Sequence, residues 1–121
     1  MNSAPVVWIV SAEQWTRALL RGELIERGYD AVGFLDAGDA LDHLPSRPPD
    51  AIIVELRGLP RRQLEQLVRI GVPLIATGGA TDLADETLQA LDLAAVLPRP
   101  VSLGTIADRV AALVPPGKIE S

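Results

Sequence analysis

The sequence contains no cysteine, a single histidine and only four aromatic residues among its 121 residues. The absence of cysteine excludes disulfides, thiolate metal sites and cysteine nucleophiles. The single histidine, His43, excludes any site that needs two imidazoles. The scarcity of aromatic side chains argues against a surface on which nucleic-acid bases stack. These absences therefore exclude several classes of metal, redox and catalytic site from this chain.

Positive charge and long apolar runs are scarce as well. Lysine and arginine number 11 against 16 aspartates and glutamates, so the formal net charge is −5. This balance argues against a surface for DNA, RNA or anionic lipid, because each of these needs clustered positive charge. The longest apolar runs have only the length of a strand, and no basic leader precedes one. We therefore expect a cytoplasmic chain with no nucleic-acid partner and no membrane partner.

One stretch of the sequence is locally basic, and it contains Arg57, Arg61, Arg62 and Arg69. A charged run of this kind usually forms the solvated face of a helix. The alternative is a surface that meets an acidic partner. The sequence leaves both interpretations open.

Hydrophobic residues make up 48% of the chain and charged residues 22%, which is typical of one globular domain spanning 1–121. Apolar runs predict five strands, at 6–10, 30–35, 51–56, 72–77 and 94–97. Segments with helical periodicity separate them. This alternation predicts a parallel sheet with helices on both faces, and it places a binding site at the carboxyl ends of the strands.

The segment after the first run has apolar residues at helical spacing, namely Trp15, Ala18, Leu19, Gly22 and Ile25. They predict a helix, and Ser11 with Gln14 predicts a capping box at its start. Trp15 is interpreted either as a core residue or as a partly exposed anchor.

Two further helices are predicted near the end of the chain. Thr81 or Asp82 opens one that carries Leu83, Thr87, Ala90 and Leu91, and Ser102 caps the last. Residues 115–121 are predicted to be a frayed end or the start of a linker.

With these elements in order, the chain resembles the receiver domain of two-component response regulators over 6–114. The run 6–10 leads into a helix with Arg17, Leu20 and Leu24. The runs 49–54, 72–75 and 99–103 resemble the third strand, the fourth strand and the turn into the last helix. The resemblance implies a flavodoxin-like (βα)5 fold with strand order 2-1-3-4-5.

The resemblance also implies where the phosphorylation chemistry of receivers would lie, and the sequence departs at each position. Ser11 and Ala12 replace the acidic pair that holds Mg²⁺, with Glu13 adjacent and predicted to face solvent. Glu55 replaces the phosphoacceptor aspartate and Arg99 the lysine. Gly78 aligns with the Thr or Ser of the fourth strand, although Thr77 is adjacent, and Val96 replaces the switch aromatic.

These replacements predict a degenerate receiver with no cofactor, no metal and no enzymatic activity. Mg²⁺ needs an oxygen shell that usually includes carboxylates, and Ala12 supplies none. One hypothesis is that Glu55 pairs with Arg99 and locks a single conformation. The alternative is that Glu55 is a polar strand end that faces water.

The function expected from the sequence is a signalling module that binds a signalling protein or a second copy of itself and acts without phosphorylation. The resemblance implies a docking face formed by the fourth helix, fifth strand and fifth helix, including Thr87, Gln89, Val96, Leu97, Gly104 and Asp108. One alternative is a binder of small anions or nucleotides that uses Ser11, Thr77, the glycine pair Gly78–Gly79 and Arg99. A working phosphoacceptor is the least supported alternative.

Overall fold

The computed structural model describes residues 4–117, which form a five-stranded parallel sheet with helices on both faces. The strands are β1 (Val6–Val10), β2 (Asp30–Phe34), β3 (Ala51–Glu55), β4 (Leu74–Gly78) and β5 (Ala95–Pro98). The helices are α1 (Gln14–Glu26), α2 (Ala37–Asp42), α3 (Arg61–Val68), α4 (Ala80–Leu83) and α5 (Leu103–Leu113), with a 3₁₀ helix at Glu86–Ala90. The order β2-β1-β3-β4-β5 confirms the predicted fold, and every predicted strand lies within two residues of its observed bounds.

Successive side chains of each central strand point to opposite faces of the sheet, so the strands build two separate cores. Ile9, Ile53 and Ile75 pack on the face covered by α1 and α5. Val10, Val54 and Ala76 pack on the opposite face, against α2 and α3. Strands buried on both faces must be apolar throughout, which is why short continuous apolar runs predicted them well.

The apolar stripe that predicts α1 does not form its buried face. Leu20 and Leu24 are buried against the sheet, whereas Trp15, Leu19 and Ile25 are exposed. On a helical wheel the exposed set lies on the side of the helix opposite Leu20 and Leu24. The helix was therefore correctly predicted from its period, but the interpretation of Trp15 as core is wrong.

The single helix predicted from Thr81 or Asp82 is also wrong in form. One turn, α4, is followed by a break and then by the 3₁₀ helix. Asp85 causes the break, because its side chain accepts hydrogen bonds from the backbone N–H and the hydroxyl of Thr87, at 3.0 and 2.6 Å. These donors hold the pKa of the Asp85 carboxyl below its usual value. By contrast, the predicted cap at Ser102 is confirmed, since its Oγ accepts from the Thr105 N–H at 3.0 Å.

The described part of the predicted tail packs against the domain. The Gly117 N–H donates to the Gly28 carbonyl at 3.4 Å, and Gly28 has a φ of 98° that suits glycine at a helix end. Residues 118–121 of the predicted tail lie outside the described residues. Within 4–117, no helix combines the length and the hydropathy needed to cross a membrane.

The hydroxyl of Tyr29 joins the two helices of one face at their far ends. Tyr29 follows α1, its ring is buried, and its hydroxyl donates to the Val114 carbonyl at 2.5 Å, just after α5. Burial raises the pKa of Tyr29 above its ordinary value of 10.0. A tyrosine with a raised pKa stabilises the folded state below the pKa of the unfolded chain, and this contribution is lost as the pH rises through the folded pKa.

We predict that Tyr29→Phe lowers the free energy of unfolding by about 1 kcal/mol at pH 7, because one partly buried hydrogen bond is lost. Stability of the original chain should also fall as the pH rises above about 10, and the variant should lack that part of the decline. Urea unfolding of the original chain and the variant, at pH 7 and again above about pH 10, measures both effects. Because the chain has a single tyrosine, its ultraviolet ionisation in the folded state gives an independent check, and a midpoint at or below 10.0 would contradict the prediction.

Candidate functional site

Four polar residues converge at the carboxyl edge of the sheet, on the face that also carries α1 and α5. Glu55 ends β3, Thr77 lies beside it in β4, Ser11 follows β1 and Arg99 follows β5. Each of them stands two residues after an inward side chain of that face, namely Ile53, Ile75, Ile9 and Leu97. Strand alternation therefore directs all four toward the same side of the sheet.

The Glu55 carboxylate is buried and forms an ion pair with Arg99. The side chain of Glu55 is 5% exposed, and its Oε2 accepts from Arg99 Nη1 at 3.1 Å. Its Oε1 accepts a longer hydrogen bond from the Ser11 hydroxyl, at 3.4 Å. The predicted pairing of Glu55 with Arg99 is confirmed, and the interpretation of Glu55 as a strand end that faces water is wrong.

The predicted capping box of Ser11 and Gln14 is not formed. The helix begins at Gln14, Glu13 is its N-cap, and no side chain caps it. The Ser11 hydroxyl accepts from the Glu13 N–H at 3.1 Å while it donates to Glu55. A serine at a strand end commonly bonds the backbone two residues later, and here that bond competes with capping.

Glu13, predicted to face solvent, has a side chain that is 40% exposed, and its carboxylate also points toward the site. Glu13 Oε2 lies 3.7 Å from Arg99 Nη2, and Oε1 lies 4.0 Å from Arg57 Nη1. Thr16 Oγ1 holds the carboxylate by donating to Oε2 at 2.7 Å. The guanidinium of Arg99 therefore lies between two carboxylates, and neighbouring Ala12 adds no polar side chain.

The register of β3 and β4 decides between the two candidates in the fourth strand. Thr77 is the direct partner of Glu55 and is buried, so Thr77 shares the site's face. Gly78 belongs to the opposite face, where an added Cβ would lie 3.0 Å from the Asp82 Cβ and 3.4 Å from the Leu56 Cβ. Of the two predicted candidates, Thr77 therefore lies on the face of the site and Gly78 does not. The alternation of Ile53–Glu55 and Ile75–Thr77 was the signal in the sequence that indicated this.

The remaining predicted position, Val96, lies away from the ion pair. It is on β5 between two buried residues, Ala95 and Leu97, and it is exposed. The Arg99–Pro100 peptide bond that follows β5 is cis. Beside Glu55, Ser11 and Ala12, a small cavity of about 50 Å³ extends toward Leu35 and Arg57.

The residues at this edge do not fit the Mg²⁺ that the resemblance implies. Ser11 offers a neutral hydroxyl that is already bonded, Ala12 offers no oxygen, and Glu55 is held by a guanidinium. Mg²⁺ binds through one or two carboxylates in a near-octahedral oxygen shell. Among the described residues, no three acidic or histidine side chains cluster as metal ligands would.

Several solved structures are similar to this chain in fold. A receiver domain of a Francisella response regulator is 22% identical, with a TM-score of 0.75, and the match covers 90% of this chain and 95% of that one. A receiver protein from Burkholderia phymatum is 25% identical, with a TM-score of 0.75 and coverage of 90% and 94%. The chemotaxis protein CheY4 of Vibrio cholerae is 16% identical, with a TM-score of 0.77 and coverage of 93% and 100%. Neither a family model nor a curated protein matches the sequence.

The chain therefore has the fold of response regulator receiver domains, over nearly the full length of those structures. This confirms the resemblance drawn from the sequence at the level of the fold. Identities this low do not carry a chemical activity from one protein to another, because function depends on the site residues.

We predict that Arg99→Gln lowers the free energy of unfolding by about 2 kcal/mol at neutral pH, since it leaves the Glu55 carboxylate buried without its cation. The expected loss lies below that of a fully buried pair, because the side chain of Arg99 is 36% exposed. The double variant Glu55→Gln with Arg99→Gln should recover part of it. Urea unfolding of the two single variants and the double variant measures the coupling between the two residues.

The matched control is Arg57→Gln, which removes the same charge from an exposed side chain 4.0 Å from Glu13. Its effect should remain within about 0.5 kcal/mol. Equal losses for Arg57→Gln and Arg99→Gln would mean that the Glu55–Arg99 contact contributes no particular stability.

Proposed function

We propose that this protein is a receiver-like module of a two-component or phosphorelay system that acts through protein–protein contacts and without phosphorylation. The observation that carries the proposal is the ion pair between the buried carboxylate of Glu55, at the phosphoacceptor position, and the partly exposed guanidinium of Arg99. The receiver fold supports the signalling class. The proposal includes the absence of enzymatic activity and, on the sequence grounds given above, a cytoplasmic location.

The chemistry of the site supports a pocket that does not accept a phosphoryl group. Phosphoryl transfer needs an available oxygen nucleophile and cations to neutralise the charge that develops on the phosphoryl oxygens. Both oxygens of Glu55 accept hydrogen bonds, from Arg99 and from Ser11. A guanidinium presents a planar set of N–H donors that matches a carboxylate, which favours this pair.

The expected docking face of α4, β5 and α5 is part of this proposal. Four of its six predicted residues are exposed, namely Thr87, Gln89, Val96 and Asp108. Gly104 is half-buried, whereas Leu97 belongs to the core. Asp108 accepts from Arg27 Nη1 at 2.5 Å, which ties α5 to α1. This bond to Asp108, together with that to Glu23, raises the pKa of Arg27 above its ordinary value.

The second candidate function, a binder of small anions at the same edge, has weaker support. Arg99 already faces the carboxylates of Glu55 and Glu13, so an anion would have to displace one of them. The Gly79 N–H, which could serve an anion, donates to Asp82 Oδ2 at 3.0 Å. The polar groups that a phosphate would need are thus occupied from within the chain.

We predict that adding Mg²⁺ and then beryllofluoride, a phosphoryl mimic, leaves the amide NMR spectrum of the full chain unchanged. Residues 11, 55, 77 and 99 report on the site. Treatment with acetyl phosphate should likewise add no mass. Inorganic phosphate and ATP should leave the melting temperature unchanged, because a ligand that binds the folded state would raise it.

The positive control is the double variant Ser11→Asp with Ala12→Asp, which restores an acidic pair beside Glu55. Mg²⁺ should shift the amides of its site, which shows that the titration detects binding where carboxylates are present. Beryllofluoride shifts around Glu55 in the original chain would overturn phosphorylation independence. A rise in melting temperature with phosphate alone would favour the anion binder.

A further inference from the structure

An open cleft of about 400 Å³ lies between α1 and the edge strand β2. Its charged lining consists of three guanidiniums and one carboxylate, those of Arg17, Arg21, Arg47 and Asp30. We call the space that these side chains and residues 31–33 enclose the β2 cleft. Arg47 forms an ion pair with Asp30, whereas within residues 4–117 neither Arg17 nor Arg21 has a carboxylate within 4.0 Å. In a chain with a net charge of −5, the β2 cleft therefore has a local excess of positive charge.

The floor of the β2 cleft consists largely of backbone. Ala31 contributes only a methyl group to this face, and the exposed Gly33 contributes no side chain. Asp30 and Phe34 bond toward β1, so the backbone N–H and C=O groups of Ala31 and Gly33 point to the open edge of the sheet. Groups at an open edge are those with which an extended chain pairs.

The domain itself does not require a glycine at position 33. The backbone of Gly33 is not in the left-handed region, and an added Cβ would lie 3.5 Å from the Cβ and Cδ of Arg17, at ordinary van der Waals distance. Glycine weakens a strand, so internal stability gives no reason for it. A glycine inside a strand is typical of a place where another backbone approaches closely.

The guanidiniums of Arg17 and Arg21 are held at different levels along β2. Arg21 Nε donates to the Ala31 carbonyl at 3.0 Å, near the start of the strand. Arg17 Nη1 donates to the Ser11 carbonyl at 2.6 Å, and Ser11 lies beside the end of the strand because its N–H donates to the Phe34 carbonyl. With about 3.3 Å per residue, the two levels are about 10 Å apart. This spread favours a ligand that is longer than a single phosphate and carries its negative charges at intervals.

Two other elongated occupants of the β2 cleft have less support. A single-stranded nucleic acid carries charges at intervals, but none of the described residues that line the cleft is aromatic, so its bases would have no side chain on which to stack. A second copy of this chain that paired β2 with β2 about a two-fold axis would bring the arginines of the two clefts together. Like charges placed opposite each other are destabilising.

We propose that the β2 cleft binds an extended acidic segment of another protein, with carboxylates of the segment on Arg17 and Arg21 and its backbone beside Gly33. Side chains on one side of an extended chain repeat about every 7 Å, which suits charges that are spread along a strand. Guanidinium–carboxylate contacts select for the acidic segment. This inference deepens the proposed function, because it rests on the protein acting through contacts with a partner and names the surface and its chemistry.

The test uses three synthetic peptides of about 14 residues. The first alternates glutamate with threonine, which favours an extended chain, and the second replaces each glutamate by glutamine. The third carries the same number of glutamates among alanines, which favour a helix. The full chain is titrated with each peptide and followed by amide NMR. We expect the first peptide to bind at least about tenfold more tightly than either of the others, to shift the amides of residues 31–33, and to weaken as salt is added.

Two charge variants and a matched control test the electrostatics. Arg21→Gln should weaken binding of the alternating acidic peptide about fivefold. Asp30→Asn removes the carboxylate that lines the β2 cleft and should tighten binding about threefold, a gain that mere damage to the fold would not produce. Arg62→Gln removes the same charge as Arg21→Gln from an exposed position on α3 and should leave binding unchanged.

A pair of glycine variants tests the approach of the backbone. Gly33→Ala should weaken binding about fivefold, because its methyl group occupies the floor of the β2 cleft, while the melting temperature stays equal or rises. The matched control is Gly22→Ala, on the exposed face of α1, where an added Cβ has no atom within 4 Å. It should raise the melting temperature slightly and leave binding unchanged.

Several results would overturn the proposal. They are equal binding of the glutamate and glutamine peptides, equal binding of the alternating and helical peptides, no binding of the alternating acidic peptide, amide shifts away from β2, or unchanged affinity in Gly33→Ala. Tighter binding of oligothymidylate would assign the cleft to a nucleic acid, and a dimer in sedimentation that Gly33→Ala abolishes would assign it to a second copy. Failure here with a flat beryllofluoride titration would remove the cleft and leave the inert pocket, whereas peptide binding with beryllofluoride shifts would do the reverse.

Discussion

The pairing of short parallel strands that are buried on both faces is the constraint on which the rest of this structure depends. It forces β1, β3 and β4 to be apolar and leaves polar side chains only at the strand ends. The in-register pairing of Glu55 with Thr77 carries the alternation from one strand to the next. Four polar residues meet at this edge because each stands two positions after an isoleucine or leucine of the same core. They are Ser11, Glu55, Thr77 and Arg99.

Burial at that edge requires the Glu55 carboxylate to have a partner. A carboxylate withdrawn from water is strongly destabilising unless a cation and hydrogen bonds compensate. Arg99 supplies the cation and Ser11 supplies a hydroxyl, so the site is satisfied by the chain's own groups. An aspartate with a metal ion would leave exchangeable positions for a phosphate. A carboxylate that is bonded to a guanidinium must first give up that ion pair.

The strands could be predicted well because a strand buried on both faces is apolar along its whole length, so the prediction does not depend on which face is buried. It predicted the period of α1 but not its phase, since Trp15, Leu19 and Ile25 are as apolar as the buried Leu20 and Leu24. Propensity alone could not predict the conformations of Ser11 and Glu13, because their partners, Glu55 and Arg99, are distant in sequence. The position of Thr77 on the face of the site could be predicted from strand alternation. The break of the fourth helix at Asp85 could also be predicted, because the hydrogen bonds that Asp85 accepts from Thr87 are local in sequence.

The charged side chains at the start of α1 and those along its flank beside β2 are paired in different ways. At its start, the charges of Glu13, Arg57 and Arg99 are paired within the site, so that edge has little left to offer a ligand. Along the flank beside β2, Arg17 and Arg21 line an open cleft, and within residues 4–117 their side chains donate only to backbone carbonyls. A guanidinium bonded to a carbonyl keeps its full charge and several free N–H groups. An external carboxylate would therefore find more available N–H groups on Arg17 and Arg21 than on Arg99, which already lies beside two carboxylates.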